Sequence, residues 1–273
     1  MRRASAALAI WRFVRGLWHL FWGLLVIGLA FPRWSPARRE ARVQAWARGL
    51  LAIWGIELKL HGQPPLQGPV LMVCNHISWL DILVLHAARH VRFVAKADIR
   101  RWPVIGPMAT GAGTLYIERE RRRDAARMVR DMAQALRNGD VLAVFPEGTT
   151  SDGTGLLPFH ANLLQAAIAS EAPVQPLALQ FLRPDGQLSH AADYVGDDTL
   201  VGSVWRLLRE RRTRAVLVFG ELQPTTATTD RRALALSLRQ TVAQLQQQAR
   251  VPDTRSARKA SGTAHAAAAD RPG

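Results

Sequence analysis

Residues 69–81 read PVLMVCNHISWLD: an apolar run through Cys74 that breaks into the polar pair Asn75-His76. The chain then resumes as ILVLHAAR (82–89), which continues helically. A short, unbroken apolar run bounded by polar residues reads as a strand buried on both faces, the kind found in parallel sheets. Ser78, three residues before Asp81, is a capping-box start signal, with Ser78 as N-cap and Asp81 at the third helical position. The stretch therefore predicts strand, turn and helix, with a histidine in the turn.

Working outward, the same alternation continues. VRFVAK (91–96), TLYIE (114–118), VLAVF (141–145), VQPLALQF (174–181) and AVLVFGEL (215–222) read as strands. Between and after them, 124–138 places Met128, Met132, Ala135 and Leu136 on one helical face and closes at Gly139. Further helices are predicted over 162–170, near 200–211 and over about 231–250. Strands alternating with helices argue for an α/β fold, a largely parallel sheet flanked by helices. The domain is expected over 57–250, with its motif core at about 69–182. Residues 251–273 are rich in Ala, Arg, Ser and Pro without periodicity, and are expected to form a disordered tail.

The N-terminal 1–56 reads as a membrane-associated helical segment. Gly16–Phe31 is an apolar run of 16 residues, short of the roughly 20 that a spanning helix needs. Phe31-Pro32-Arg33 offers no small-x-small cleavage site, so a removable leader is not expected. Arg2, Arg3, Arg12 and Arg15 precede the run; Arg33, Arg38, Arg39, Arg42 and Arg48 follow it, opposed only by Glu40. Positive charge on both flanks keeps both on the cytoplasmic side, which one span cannot satisfy and a hairpin that dips in and returns can. The following Arg-rich helix, with Val43, Trp46, Leu50, Ile53 and Trp54 at helical spacing, is expected to lie in the headgroup layer. A monotopic hairpin is favoured over a single span.

The 273 residues carry 36 Lys+Arg against 21 Asp+Glu, a formal net charge of +15. That balance implies anionic partners. However, 33 of the 36 cations are Arg in an Ala-rich chain, a bias of composition, and no nucleic-acid-binding motif is present. Nucleic acid is not an expected partner. The single cysteine, Cys74, excludes a disulfide framework and reads as a small buried hydrophobe.

Chemistry in α/β domains gathers at strand-to-helix turns. Three such ends here are polar: Asn75 to Asp81, Glu118-Arg119, and Pro146 to Ser151. On one regular helix His76 and Asp81 would stand about 140° apart. With His76 in the turn before the helix, its ring can bend back to Asp81. A carboxylate bonded to one imidazole nitrogen leaves the other as a base. The plainer reading is a capping aspartate beside an idle histidine. Elsewhere, HAARH (86–90) lacks the glutamate of a zinc-protease motif, GPMATGAGT (106–114) lacks the Lys-Ser/Thr of a phosphate loop, and no G-x-S-x-G occurs.

Taken together, Asn75-His76-x-Ser78-x-x-Asp81, Gly113 to Arg119, Phe145-Pro-Glu-Gly-Thr149 and Val174-Gln-Pro176-Leu resemble the four ordered blocks of the glycerolipid acyltransferase superfamily. The resemblance covers about residues 55–182. It implies His76 as general base, Asp81 as its orienting partner, Arg119 in the acceptor's phosphate site, and Glu147, Gly148 and Thr149 in acceptor binding. It implies an O-acyltransferase without metal or redox cofactor, with acyl-CoA or acyl-carrier protein as donor. The expected partners are membrane lipids and a lysolipid acceptor, at the cytoplasmic face of a bacterial inner membrane. Direct attack through one ternary complex is the simplest scheme, since no activated Ser or Cys is evident. The expected acceptor is 1-acyl-sn-glycerol 3-phosphate. Two departures weaken a phosphomonoester head group: Thr150 stands where the family often has arginine, and Phe159-His160 where lysine is common. They bring lyso-ornithine lipid or another lysophospholipid into view. A non-catalytic lysolipid-binding protein and a hydrolase are the rival readings.

Overall fold

The computed structural model describes residues 3–117 and 122–250. Its centre is a seven-stranded sheet of β1 (Ile56–His61), β2 (Val70–Cys74), β3 (Arg92–Lys96), β4 (Leu115–Ile117), β5 (Val141–Val144), β6 (Val174–Leu182) and β7 (Thr213–Phe219), in the order β1-β7-β6-β2-β5-β3-β4. β6, β2, β5, β3 and β4 are parallel; β7 runs antiparallel to β6, and β1 is parallel to β7. The α/β fold and its largely parallel sheet thus match the sequence reading. β1 at the sheet edge was not predicted.

Among the described residues eight helices surround the sheet: α1 (Ala6–Leu29), α2 (Pro36–Ile53), α3 (Leu80–Ala88), α4 (Ile105–Gly111), α5 (Arg122–Arg137), α6 (Gln165–Ser170), α7 (Leu200–Leu208) and α8 (Arg231–Arg250). Period-two burial divides the strands between two cores. Met72 and Cys74 of β2, Ala143 of β5 and Leu177, Leu179 and Phe181 of β6 face α2 and α3. Leu71 and Val73, with Leu142 and Val144, face α5, α6 and the start of α8. The C-terminal half of β6 and β7 pack on Val242, Leu245 and Ala249 of α8.

α1 is capped by Ser5, whose Oγ accepts from Leu8 N at 3.2 Å. With 24 residues it is long and apolar enough to cross a membrane, by length and composition alone. Its two faces differ sharply. Ala9, Arg12, Gly16 and Gly23, at spacings of three, four and seven, are buried. Trp11, Val14, Leu17, Trp18, Phe21 and Trp22 are exposed, Trp18 by 67%. The glycines allow close approach: a Cβ on Gly16 would fall 2.5 Å from Trp54 Nε1, and one on Gly23 2.6 Å from Trp46 Nε1. Trp46 Nε1 donates to His19 O at 3.0 Å, and His19 Nε2 lies 2.9 Å from Trp46 O.

Two expectations for this region are corrected. Trp46 of α2 and Trp54, which caps its C-terminus, are buried in the core with Ala47, Leu50 and Leu51, not spread in a headgroup layer. They face inward because α1 offers small residues opposite them. Arg12, counted as a flanking charge, points into the protein and donates to the carbonyls of Glu210 (2.7 Å) and Arg211 (2.9 Å) just beyond α7. Gly55, at φ +76°, makes the room: a Cβ there would stand 2.2 Å from the Arg12 guanidinium. α4 was not predicted: the GPMATG stretch, set aside above as lacking the residues of a phosphate loop, is helical through Gly111, where Ile27 of α1 packs against the bare backbone. The expected tail beyond Arg250 lies outside the described residues.

Candidate active site

β2 and β5 are neighbours, and their chain continuations go to opposite faces of the sheet: α3 follows β2 on one side, α6 follows β5 on the other. Such a switch point opens a crevice at the carboxyl ends of the strands. His76 and Glu147 both stand there.

Asn75 anchors the turn. Its Oδ1 accepts from Leu179 N at 2.7 Å and its Nδ2 donates to Leu179 O at 3.0 Å. The side chain thereby replaces a strand's backbone pairing and holds the end of β2 to β6. The helix is assigned from Leu80, although Trp79 already has helical dihedrals (φ −55°, ψ −25°). Ser78 Oγ accepts from Leu80 N at 3.3 Å, and Asp81 Oδ2 accepts from Ser78 N at 2.9 Å, the backward half of the predicted capping box.

That same Oδ2 accepts from Ile77 N at 2.7 Å and meets His76 Nδ1 at 2.7 Å. Three donors therefore converge on one oxygen of a side chain that is fully buried, in the first turn of α3 where the helix dipole favours negative charge. A carboxylate oxygen taking two amides can only accept, so the proton between the residues belongs to His76 Nδ1. Nε2 is then the nitrogen with a free lone pair, and it has no hydrogen-bond partner among the described residues. Phe145 stacks on the imidazole at 4.0 Å and 7°, and Phe93 stacks behind Phe145 at 5.7 Å. The ring is thus fixed by a hydrogen bond at one edge and an aromatic plane on one face, while the His76 side chain keeps 18% exposure.

Glu147 is 3% exposed. Its Oε1 accepts from His76 N at 2.7 Å and its Oε2 from Leu157 N at 2.8 Å. Burial pushes its carboxyl above the usual range, against the pull of those two amides. Gly148 and Thr149, which follow Glu147 in the turn after β5, are exposed. Gly148 has φ +72°, and the His160 ring lies where a Cβ would stand, 2.9 Å away. Thr150 turns inward: its hydroxyl donates to Tyr194 O. Ser151 N and Oγ donate to His76 O at 2.9 and 3.2 Å. The structure therefore gathers His76, Asp81, Glu147, Gly148 and Thr149 at one crevice. Arg119 lies outside the described residues.

Phe145 and Ser151 were quoted in the sequence motifs but not picked as site residues; only their placement beside His76 marks them. Cys74 is fully buried, and burial pushes its thiol well above the ordinary value, which disfavours the nucleophilic thiolate. His86 is buried against Phe93 and His90, with its pKa lowered by desolvation to about 3. His90 Nε2 lies 3.0 Å from Ala112 O.

A buried carboxylate, an oriented imidazole and an open nitrogen can take a proton from a hydroxyl. A family model described as acyltransferase matches residues 57–180, from β1 into β6. The lyso-ornithine lipid O-acyltransferase of Pseudomonas aeruginosa is 36% identical over 201 residues, 70% of this chain and 77% of that protein. The 1-acyl-sn-glycerol-3-phosphate acyltransferase of Neisseria gonorrhoeae is also 36% identical over 201 residues, 73% of this chain and 78% of its own. The fold is shared with the crystal structure of the 1-acyl-sn-glycerophosphate acyltransferase PlsC from Thermotoga maritima, at a TM-score of 0.61 and 16% identity over 87% of this chain and 97% of that one. Sequence likeness to the two bacterial enzymes extends over more than two thirds of each, and the family match runs across the strands and turns that build the His76 crevice: the chain belongs to the acyltransferase family.

Proposed function

We propose that this protein moves a fatty acyl group from acyl-CoA or acyl-carrier protein to the free hydroxyl of a lysolipid, with 1-acyl-sn-glycerol 3-phosphate as the first acceptor and phosphatidic acid as its product. The observation that carries the proposal is the pairing of His76 Nδ1 with Asp81 Oδ2, which leaves Nε2 open at the crevice. Nε2 takes the proton of the acceptor hydroxyl as its oxygen attacks the thioester carbonyl. The imidazolium, stabilised by Asp81, returns that proton to the departing thiolate as the carbon–sulfur bond breaks. The reaction needs no covalent acyl-enzyme, and burial of Cys74 supports a single ternary complex.

A second acceptor, lyso-ornithine lipid, is favoured by one feature. Thr150 places no cation at the crevice and spends its hydroxyl on Tyr194 O. The name of the Pseudomonas relative points the same way.

Membrane association through α1, at the cytoplasmic face of a bacterial inner membrane, completes the reading. α1 is docked on the domain along its Ala9, Arg12, Gly16 and Gly23 edge while its aromatic face is free. A helix held sideways along a folded domain is suited to lie in one leaflet rather than to cross two, which supports monotopic attachment.

The test is acyl transfer by purified protein in detergent from labelled acyl-CoA or acyl-carrier protein to a panel of lysolipids, beside His76→Ala. Product from lysophosphatidate, lost in the variant, is the expected result. Product only from lyso-ornithine lipid would keep the chemistry and change the acceptor. Transfer from neither donor to any lysolipid would overturn the proposal.

A further inference from the structure

An open cavity of about 590 Å³ lies beyond the end of β6, against α7 and the ends of α1 and α8. Arg3, Arg183, Arg206 and Arg250 line it with His190, and Glu210 is the one carboxylate in the lining among the described residues. Arg206 is occupied by Asp198, at 2.9 and 3.1 Å. The others are less so. Arg183 donates from Nη2 to Gln187 Oε1, and its Nε stands 3.7 Å from Asp185 Oδ1, an ion pair without a hydrogen bond. Arg250 donates to the carbonyls of Gly153 and Thr154 at 3.0 and 3.2 Å, and meets no carboxylate among the described residues. Arg3 is exposed with no partner among the described residues. The Nε atoms of Arg183 and Arg250 are buried and donate to nothing. Four guanidinium groups against one carboxylate around a hollow form a receptor for a phosphate-bearing anion.

The cavity is tied to the His76 turn by two loops. Ser189, His190 and Ala191 line it, and the same loop reaches the turn at Tyr194, whose N donates to Ile77 O at 3.3 Å. Arg250 holds Gly153 O, Gly153 N donates to Ser151 Oγ at 3.4 Å, and Ser151 N donates to His76 O. Leu179 of β6 is level with Asn75, so Arg183 stands four residues further along the chain, about 13 Å at an extended-strand rise. In a lysophosphatidate the phosphate is only a few bonds from the reacting hydroxyl and cannot reach so far. A CoA thioester carries its phosphates and nucleotide at the far end of a long flexible arm, and can.

We propose that this arginine-lined cavity binds the phosphorylated nucleotide end of a CoA thioester donor while its acyl carbonyl lies at His76. The inference rests on the acyltransferase reading above and selects CoA over acyl-carrier protein. It is tested by titrating the purified full chain in detergent with CoA, 3′-dephospho-CoA and sn-glycerol 3-phosphate. Wild type, Arg3→Gln, Arg3→Gln/Arg183→Gln and His76→Ala are compared. CoA binding is expected to weaken about tenfold or more in the double variant, and measurably in Arg3→Gln, whose exposed side chain holds nothing else in place. Removing the 3′-phosphate should weaken binding to wild type, and His76→Ala should bind CoA normally. Unchanged CoA affinity in folded double variant, or no CoA binding by wild type, overturns the proposal. So does loss of sn-glycerol 3-phosphate binding with CoA binding intact. Because binding is read without turnover, failure of the cavity and failure of acyl transfer are seen separately.

Discussion

Glu147 Oε1 accepts the backbone N–H of His76 at 2.7 Å, so the carboxylate at the end of β5 holds the main chain of the residue that carries the imidazole. Its other oxygen holds Leu157 N. Both oxygens thus hold main-chain amides, and the role expected of Glu147 is that of a positioning residue. Glutamine can accept at only one of the two amides. Glu147→Gln is therefore expected to lower kcat tenfold or more with little change in acceptor KM, and to destabilise by about 1–3 kcal/mol. A rise in acceptor KM at constant kcat would instead assign Glu147 to direct contact with the acceptor.

His76→Ala should lower kcat by about 10²–10⁴-fold, the usual worth of a general base. Asp81→Asn tests the partner more finely. The amide oxygen can still accept from Ile77 and Ser78, so the turn should persist, but the charge that stabilises the imidazolium is gone. A similar loss of kcat with a retained thermal transition is expected; full activity in folded Asp81→Asn would dismiss the pair.

Acid should destabilise the protein through His86. Its pKa is lowered from 6.5 to about 3 by burial, so in the folded state it stays neutral where the unfolded chain takes up a proton. A depressed histidine contributes stability above its unfolded value that is lost as pH falls, here from about 6.5 down toward 3, at roughly 1.4 kcal/mol per pH unit for one proton. His90, lowered mainly by burial, acts in the same direction. Glu147, raised by burial, acts oppositely: its contribution is present in acid and lost as pH rises through its folded value. Thermal unfolding from pH 7.5 to 4.5 should show the fall, and His86→Phe should flatten it.

The outward face of α1 predicts a separation of binding from folding. Replacing Trp18, Phe21 and Trp22 by serine should reduce sedimentation with anionic vesicles while the thermal transition holds. Gly16→Val should do the reverse, since its side chain would collide with the Trp54 indole and unseat the helix. Equal vesicle binding by the triple variant would show that α1 is not the membrane contact.

Much of this arrangement was legible in the residues because the inner strands of the sheet are short apolar runs and the two site turns follow β2 and β5. What escaped the reading depended on partners distant in sequence. β1 has one neighbour, β7, and its exposed Lys59 and Leu60 dilute any apolar signal. α4 contains Gly106, Pro107 and Gly111, poor helix formers, and is held by α1 through Ile27. Trp46 and Trp54 resembled interfacial tryptophans until Gly16 and Gly23 appeared opposite them. The stacking of Phe145 on His76 joins residues 69 positions apart, and no local pattern announces it.

The docking of α1 also bears on how the protein can be handled. A chain beginning at Pro36 would lose Ala9 from the core and the Arg12 contacts beyond α7, and would bare Trp46 and Trp54 to water. Trimming the N-terminus to obtain a soluble catalytic fragment would trade one sticky surface for another. The helix that bears the exposed aromatic face is also one of the walls that keep the domain folded.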